Sequence, residues 1–309
     1  MMSNVPLFTA LLLASLTVQC AADAPKPNIL VIVADDLGYS DIGVHGGKVV
    51  PTPNIDALAA SGVRCTNGYV SCPYCSPTRA GFLTGRYLSL LLGLDDAIGR
   101  VSDHLSKTGK DKDTLIFFFS DNGGSGRKPF FAYNSGINKP LRGDKGQTLE
   151  GGIHVPFFVS WPGKLQAGKI YEQPVIALDV LPTALMAAGM KAHTNCDGVD
   201  LLPHLKGETN ALPHTSLFWR FGPQKAVRRG QWKLVDWRDH DAKKNSGWQL
   251  YDLANDIGEQ HDLAAAQPQL VAQLSQEWET WNAKNIAPLW HGSPTEDPTA
   301  PARPATTKK

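Results

Sequence analysis

The stretch N-I-L-V-I-V-A-D-D-L-G, Asn28–Gly38, decides the fold. Asn28 to Ala34 is a nearly unbroken β-branched and aliphatic run, the pattern of a strand buried on both faces, and it stops at two aspartates. The design recurs at Thr114 to Ser120 (TLIFFFS), which ends at Asp121-Asn122-Gly123-Gly124. Val155 to Trp161 (VPFFVSW) is a third apolar run. Helical stretches lie between. Thr52 and Pro53 open a short one, as N-cap and first helical residue, and Gly62 closes it. Leu94, Ile98, Val101 and Leu105 recur at helical spacing up to Gly109, and Leu178 to Ala188 is a further helix ended by Gly189. Strands alternating with helices predict an α/β layer fold with a largely parallel sheet.

The texture changes after about Leu212. LFWR, KAVRRG, QWKLVDW and WQLYDL are short, aromatic and separated by turn residues, so they predict a small antiparallel sheet. Leu270, Leu274, Trp278 and Trp281 mark one face of a final helix. The predicted organisation is an α/β body over 25–211, an antiparallel subdomain over 212–290 that depends on the body for stability, and a loose Pro-, Thr- and Lys-rich tail over 291–309.

Residues 1–24 are set apart as a secretory signal. Val5 to Val18 is apolar but too short to span a bilayer, and Ala21, Ala22 and Ala24 supply a cleavage region near Ala22 or Ala24. Gln19 stands where a lipid-modified Cys20 would want a small residue. No later run approaches the ~18 apolar residues of a membrane helix. The expectation is an exported protein, periplasmic or extracellular, with no stable membrane anchor. Thirty Lys and Arg against 29 Asp and Glu leave a net charge of +1 over 309 residues, so no overall field holds a nucleic acid. The oligomeric state is not legible in the sequence.

The two acidic clusters each follow a buried strand, where open α/β sheets bind ligands. Asp35, Asp36, Asp121 and Asn122 offer hard oxygen donors, suited to Ca²⁺ or Mg²⁺ rather than to a soft metal. Asp and Asn also cap strands and turns without any ion, and one cluster alone would read that way. A second feature is Cys75-Ser76-Pro77-Thr78-Arg79, continuing as AGFLTGR to Arg86. Pro77 puts Cys75 at a helix start, where free N–H groups favour an anion, and Arg79 lies one turn on. Cys72-Pro73-Tyr74-Cys75 also has redox-pair spacing, but it runs into P-T-R rather than a thioredoxin-like unit, and no second Cys or His pair completes a zinc site.

These motifs together resemble the sulfatases, the formylglycine-dependent branch of the alkaline-phosphatase-like superfamily. C-S-P-T-R with L-T-G-R behind it is the most specific of them. PNILVIVADDLGYSDIG, TPNIDALAASGVRCTNGYV, SDNGG, PLRGDKGQTLEGGIHVP, DGVDLLPHLKGE and LYDLANDIGEQHDLA follow in family order between Pro27 and Ala264. The resemblance implies an alkaline-phosphatase-like sandwich and a sulfuric ester hydrolase acting on a sulfated small molecule or polysaccharide. It implies that a formylglycine-generating enzyme oxidises Cys75 to formylglycine, which carries the attacking hydroxyl. It also implies that Asp35, Asp36, Asp121, Asn122 and the modified Cys75 hold Ca²⁺, that Arg79 steadies the nucleophile and that Lys145 clamps a sulfate oxygen.

The sequence departs from the family in one region. A long segment normally follows L-T-G-R and carries a G-K-W-H-like motif, with a further His before a Pro beyond it. Here Tyr87 is followed almost at once by Leu94 to Gly99, and neither G-K-x-H nor A-P-H-x-P occurs. None of the nine His sits in a matching motif. The α/β body is thus read as truncated after about residue 87, and slow or absent turnover is expected. Two alternatives stand beside the hydrolase: a non-catalytic remnant that binds Ca²⁺ or sulfated ligands, and a phosphodiester or phosphonate hydrolase of the same superfamily.

Overall fold

The computed structural model describes residues 26–70, 87–125, 137–191, 196–239, 242 and 244–285. A five-stranded sheet forms the body. Its strands are β1 (Asn28–Ala34), β2 (Val63–Cys65), β4 (Thr114–Ser120), β5 (Phe157–Ser160) and β6 (Lys169–Tyr171), in the order β1-β4-β5-β2-β6. β1 runs parallel to β4 and β2 parallel to β6, while β5 is antiparallel to both its neighbours. Four strands therefore point one way and β5 alone opposes them. β3 (Gly68–Tyr69) and β7 (Val175–Ile176) make a separate short parallel pair.

Alternation along β4 builds a core on each face of this sheet. Leu115 and Phe117 join Val63, Cys65, Phe157 and Val159 on one face. Ile116 and Phe118 join Leu30, Ile32 and Phe158 on the other. That second face is covered by α1 (Pro53–Ala60) and α2 (Tyr87–Lys107), through Ile55, Leu58, Ala59, Leu94, Ile98 and Leu105. Over the first face lie α4 (Val180–Ala187) and α5 (Leu202–Lys206). A one-turn helix, α3 (Glu150–Ile153), precedes β5. Among the described residues no helix is long and apolar enough to cross a membrane.

The C-terminal strands form an antiparallel meander. β8 (Leu217–Phe221), β9 (Gln224–Arg229), β10 (Trp232–Asp236) and β11 (Gln249–Asp252) pair in sequence order, and α6 (Pro268–Asn282) covers one side. The two-residue period sorts their side chains. Val227, Leu234 and Leu250 meet Leu274 and Trp278 of α6. Ala226, Val235 and Tyr251 meet Tyr69, Leu149, Ile153 and Val155 of the body in a shared core. Trp219 fastens the seam, its indole N–H donating to the Val70 carbonyl at 2.7 Å.

Three local expectations change. β1 is covered on one face only, since among the described residues it is an edge strand: Ile29, Val31 and Val33 remain exposed on the other. Thr52 sits at the N-cap of α1 but does not cap it; its hydroxyl accepts from Gly43 N–H at 2.8 Å and faces Asp56. Gly62 is required by packing, since a methyl group there would overlap the Val159 carbonyl. Gly109 and Gly189 do end helices in the left-handed conformation, with φ of 66° and 70°.

Candidate active site

Parallel pairing of β1 with β4 sets Ala34 beside Ser120, so both acidic clusters leave the sheet at one point. Asp121 N–H continues the ladder to the Ala34 carbonyl at 3.0 Å. Ser120 pins the turn: its hydroxyl donates to the Asn122 carbonyl at 2.7 Å and accepts from Leu37 N–H at 3.2 Å. Asp36 adopts φ of 55°, a left-handed conformation that Asp tolerates better than most side chains. Its N–H donates to Asp121 Oδ1 at 3.2 Å. Its Oδ1 accepts from Asn122 Nδ2 at 2.8 Å and from the Lys145 ammonium.

Lys145 reaches this point because two glycine-rich loops interlock. Gly123 N–H donates to Gly152 O at 3.0 Å, and Lys145 N–H to Gly124 O at 3.2 Å. A methyl group at Gly123 would overlap the Gly151 carbonyl, and one at Gly151 would overlap that of Gly143. Asn138 clips the same loops, exchanging two 2.9 Å hydrogen bonds with Gly124 and donating a third to Gly143 O. Asp41 anchors the turn after β1, accepting from Gly38 and Ile137 N–H at 2.8 Å each. Burial is the largest influence on Asp41 and raises its pKa. Asn138 and Asp41 carry no signal in the sequence beyond their place near the acidic motifs.

The donor set fits a hard cation. Carboxylate oxygens of Asp35, Asp36 and Asp121 can all lie within 4.8 Å of one another. Such close carboxylates repel unless positive charge sits among them. Asn122 is fully buried, and its Oδ1 has no hydrogen-bond partner among the described residues. An orphaned amide oxygen beside three carboxylates is the oxygen-only chemistry of a Ca²⁺ or Mg²⁺ site. The structure thus gathers Asp35, Asp36, Asp121, Asn122 and Lys145. Cys75 and Arg79, with the C-P-Y-C spacing, lie outside the described residues, as do residues 1–24 and the tail.

A second polar cluster, not legible in the sequence, lies at the seam between body and meander. Lys233 of β10 contacts Glu150 Oε1 at 2.8 Å and Glu259 Oε1 at 2.9 Å, with all three side chains fully buried. Glu150 Oε2 also meets Tyr69 OH at 2.7 Å and His154 Nδ1 at 2.9 Å. Arg228 donates to the Tyr69 oxygen. Burial works to raise the Glu150 pKa, but Lys233 and His154 outweigh it and hold Glu150 below its ordinary value. Glu259 lacks that second partner, and burial pushes it up to about 7. His154 has both ring nitrogens engaged, Nε2 with the Thr66 carbonyl at 2.7 Å. His45 is held neutral by burial, with a pKa lowered to about 4, and its Nδ1 bonds to the Tyr39 carbonyl at 2.8 Å.

Comparison with known proteins agrees with this architecture. The sulfatase family model matches residues 27–92 and 86–190, and the model of the N-sulphoglucosamine sulphohydrolase C-terminal region matches 143–284. Rat (Rattus norvegicus) steryl-sulfatase is 51% identical over 83 residues, covering 26% of this chain and 14% of that protein. Mouse (Mus musculus) N-acetylgalactosamine-6-sulfatase is 36% identical over 159 residues, covering 50% of this chain and 30% of that protein. The chain thus spans less than a third of the length of these two relatives. The crystal structure of Ps i-CgsB superposes with a TM-score of 0.73 at 23% identity, over 86% of this chain and 95% of the other. The PsFucS1 sulfatase from Pseudoalteromonas sp. gives 0.68 at 18% identity, over 84% and 90%. With a family model covering more than half of the chain and a parallel strand pair delivering the acidic residues to one point, this protein belongs to the sulfatase family and has its alkaline-phosphatase-like fold.

Proposed function

We propose that the chain is an exported sulfuric ester hydrolase that depends on Ca²⁺ and on a formylglycine made from Cys75. The observation that carries this reading is the oxygen cage of Asp35, Asp36, Asp121 and Asn122 with Lys145 at its rim. A bound Ca²⁺, or Mg²⁺ in its place, supplies Lewis-acid charge to a sulfate oxygen. The chain's own groups do the rest. The four acidic and amide side chains fix the position of positive charge at the end of β1 and β4. Lys145 lies on the same spot, and its ammonium would follow negative charge as it grows on a sulfate oxygen in the transition state. Arg79, from the C-S-P-T-R run, would hold the modified Cys75 side chain. A carbohydrate sulfate is the favoured substrate class, since Ps i-CgsB has been crystallised with k-i-k-neocarrahexaose.

Turnover is expected to be weak. The G-K-x-H and A-P-H-x-P motifs are missing from the sequence, and His154 spends both ring nitrogens on Glu150 and Thr66. Positioned proton transfer is typically worth about 10²–10⁴-fold. These same observations favour a second reading, a sulfatase remnant that binds Ca²⁺ or a sulfated ligand without cycling. In both readings the body is shortened after about residue 87, residues 1–24 direct export, and 212–290 act as an appended subdomain.

Mass spectrometry of the Cys75 peptide, after co-expression with a formylglycine-generating enzyme, tests the first requirement. A loss of about 18 Da with aldehyde reactivity supports the hydrolase. An aryl sulfate assay with Ca²⁺ then separates the readings. Multiple turnovers lost in Cys75→Ala establish a working hydrolase, a single-turnover burst a stalled one, and no burst with intact Ca²⁺ binding the remnant.

A further inference from the structure

Lys145 sits in a loop that is held from two sides. Its own N–H donates to Gly124 O at 3.2 Å, in the turn that follows β4. One residue on, the Gly146 carbonyl accepts from Gln224 Nε2 at 2.8 Å. Gln224 opens β9 of the meander, 78 positions later in the chain, and is 3% exposed. The other end of its amide, Oε1, accepts from Thr148 N–H and from Arg238 N–H at 3.3 Å each. Gly146 O and Thr148 N–H have no backbone partner among the described residues. The Gln224 amide stands in for one, since it offers a donor and an acceptor within reach of both groups. The meander grips the same loop at its ends. Arg142 donates to the Glu259 carbonyl at 2.7 Å and lies over the Trp237 ring, 4.8 Å from its centroid. Glu150 N–H donates to Glu259 Oε2 at 2.8 Å.

From these bonds we infer that Gln224 is a positioning residue for Lys145: through its side-chain amide the meander fixes the loop that keeps the Lys145 ammonium on Asp36. The loop needs such a brace. Gly143 and Gly146 flank Lys145 with φ of 84° and 89°. Glycine has little steric preference of its own, so the path of the chain there is left to its hydrogen bonds. Lysine carries its charge on a flexible four-carbon stem, and the ammonium is placed only as well as the backbone beneath it. A misplacement of about 1 Å in a group that meets a reacting centre can cost on the order of 10²-fold in rate. The subdomain thereby acts on the cage through the backbone of residues 142–150. Lys145 meets sulfate only under the hydrolase reading proposed above, on which this role rests, whereas the anchoring belongs to the fold.

Competitive acetylation of the full chain, with Lys145 followed by peptide mass spectrometry, tests the anchoring without turnover or ligand. In the wild type Lys145 should label slowly, since its side chain is 8% exposed and paired with Asp36. Gln224→Met has a similar length and neither hydrogen-bonding group, and should raise that rate by about threefold or more. Leu274→Ala opens a cavity on the far side of the meander, so it should lower the melting temperature and leave Lys145 labelling unchanged. Should Gln224→Met misfold, amide exchange on the wild type gives the same answer: Thr148 N–H must open at the rate of the β9 amides. Titration with inorganic sulfate in the presence of Ca²⁺ keeps the two readings apart. Gln224→Met should weaken sulfate binding, and should add nothing in a Lys145→Ala background. Sulfate binding indifferent to Lys145→Ala counts against the sulfate role of Lys145, and labelling then decides the anchoring alone. Labelling unchanged in Gln224→Met, an equal rise in Leu274→Ala, or Thr148 exchange independent of β9 would each overturn the assignment of Gln224.

Discussion

The strand-end cage and the seam cluster are made from the same kinds of side chain but balance their charge differently. At the cage, three carboxylates lie close together beside Lys145, and the Asn122 amide oxygen has no hydrogen-bond partner among the described residues. At the seam, Glu150 and Glu259 share Lys233, and Glu150 also meets Tyr69 and His154, while among the described residues Glu259 Oε1 has only its ion pair with Lys233. The cage lies partly open and gathers its oxygen donors at the ends of two strands; the seam is fully buried and shares one lysine between two carboxylates. The first arrangement asks for a ligand, and the second joins two pieces of chain. Burial of charge by itself does not mark a binding site. A partly open group of hard oxygen donors at converging strand ends is the stronger sign.

The largest effect should come from breaking the seam. Lys233→Met leaves two buried carboxylates without their common cation, and the loss of one partner of a buried pair costs about 3–5 kcal/mol. Thermal melting should drop by on the order of 10 °C. A drop of only a degree or two would mean that the seam is not compensated as described. The double variant Lys233→Met with Glu259→Gln should recover part of the loss.

The cage should respond differently. Asp121→Ala removes an oxygen donor and the acceptor of the Asp36 N–H, so the metal-free protein should lose only about 0.5–1.5 kcal/mol. It should also lose stabilisation by Ca²⁺, worth about 2.7 kcal/mol for the wild type when Ca²⁺ is at 100 times its dissociation constant. Melts with Ca²⁺ and with EDTA measure both quantities. A wild type indifferent to Ca²⁺ would show that the cage does not work as a cation site.

Between the clusters, Gly123→Ala probes the loops that deliver Lys145 to Asp36. The added methyl group overlaps the Gly151 carbonyl, and overpacking of this kind costs about 1–3 kcal/mol. Ca²⁺ affinity, followed by calorimetric titration, should fall as well, because Asn122 adjoins the displaced residue. Unchanged affinity beside a lowered melting temperature would separate the loop crossing from the cage.

The smallest expected effect is one of pH. The folded-state pKa of Glu259 is raised to about 7, above an ordinary carboxylate near ~4.3, so the folded protein holds an extra proton between those values. The stability contributed by that proton is present at low pH and is lost as pH rises through 7. Glu259→Gln mimics the protonated form, so the variant should gain on the wild type between pH 5 and pH 8. His45, lowered to about 4, acts in the opposite direction in both proteins, losing stability as pH falls below about 6.5. It cancels from the comparison. A variant whose deficit is constant across this range would show that Glu259 does not titrate there.

How far the sequence could be read follows from the range of the forces involved. Local pattern determined β1, β4, the meander and α6, because an apolar run or a two-residue alternation needs only its own residues to express a preference. It missed β2, β3, β6 and β7, which are two or three residues long and exist only through their partners. For the cage, the residue types Asp35, Asp36, Asp121 and Asn122 announced oxygen chemistry. Their convergence, and the arrival of Lys145 over the interlocked glycine loops, rest on strand pairing between residues 85 or more positions apart. The seam was invisible because Glu150, Lys233 and Glu259 look like ordinary surface residues in a sequence. Only the packing of the meander against the body removes water from all three and makes each depend on the others. The open face of β1 was decided at the same level: the apolar run fixed a strand, but only the sheet order placed that strand at the edge of the sheet formed by the described residues.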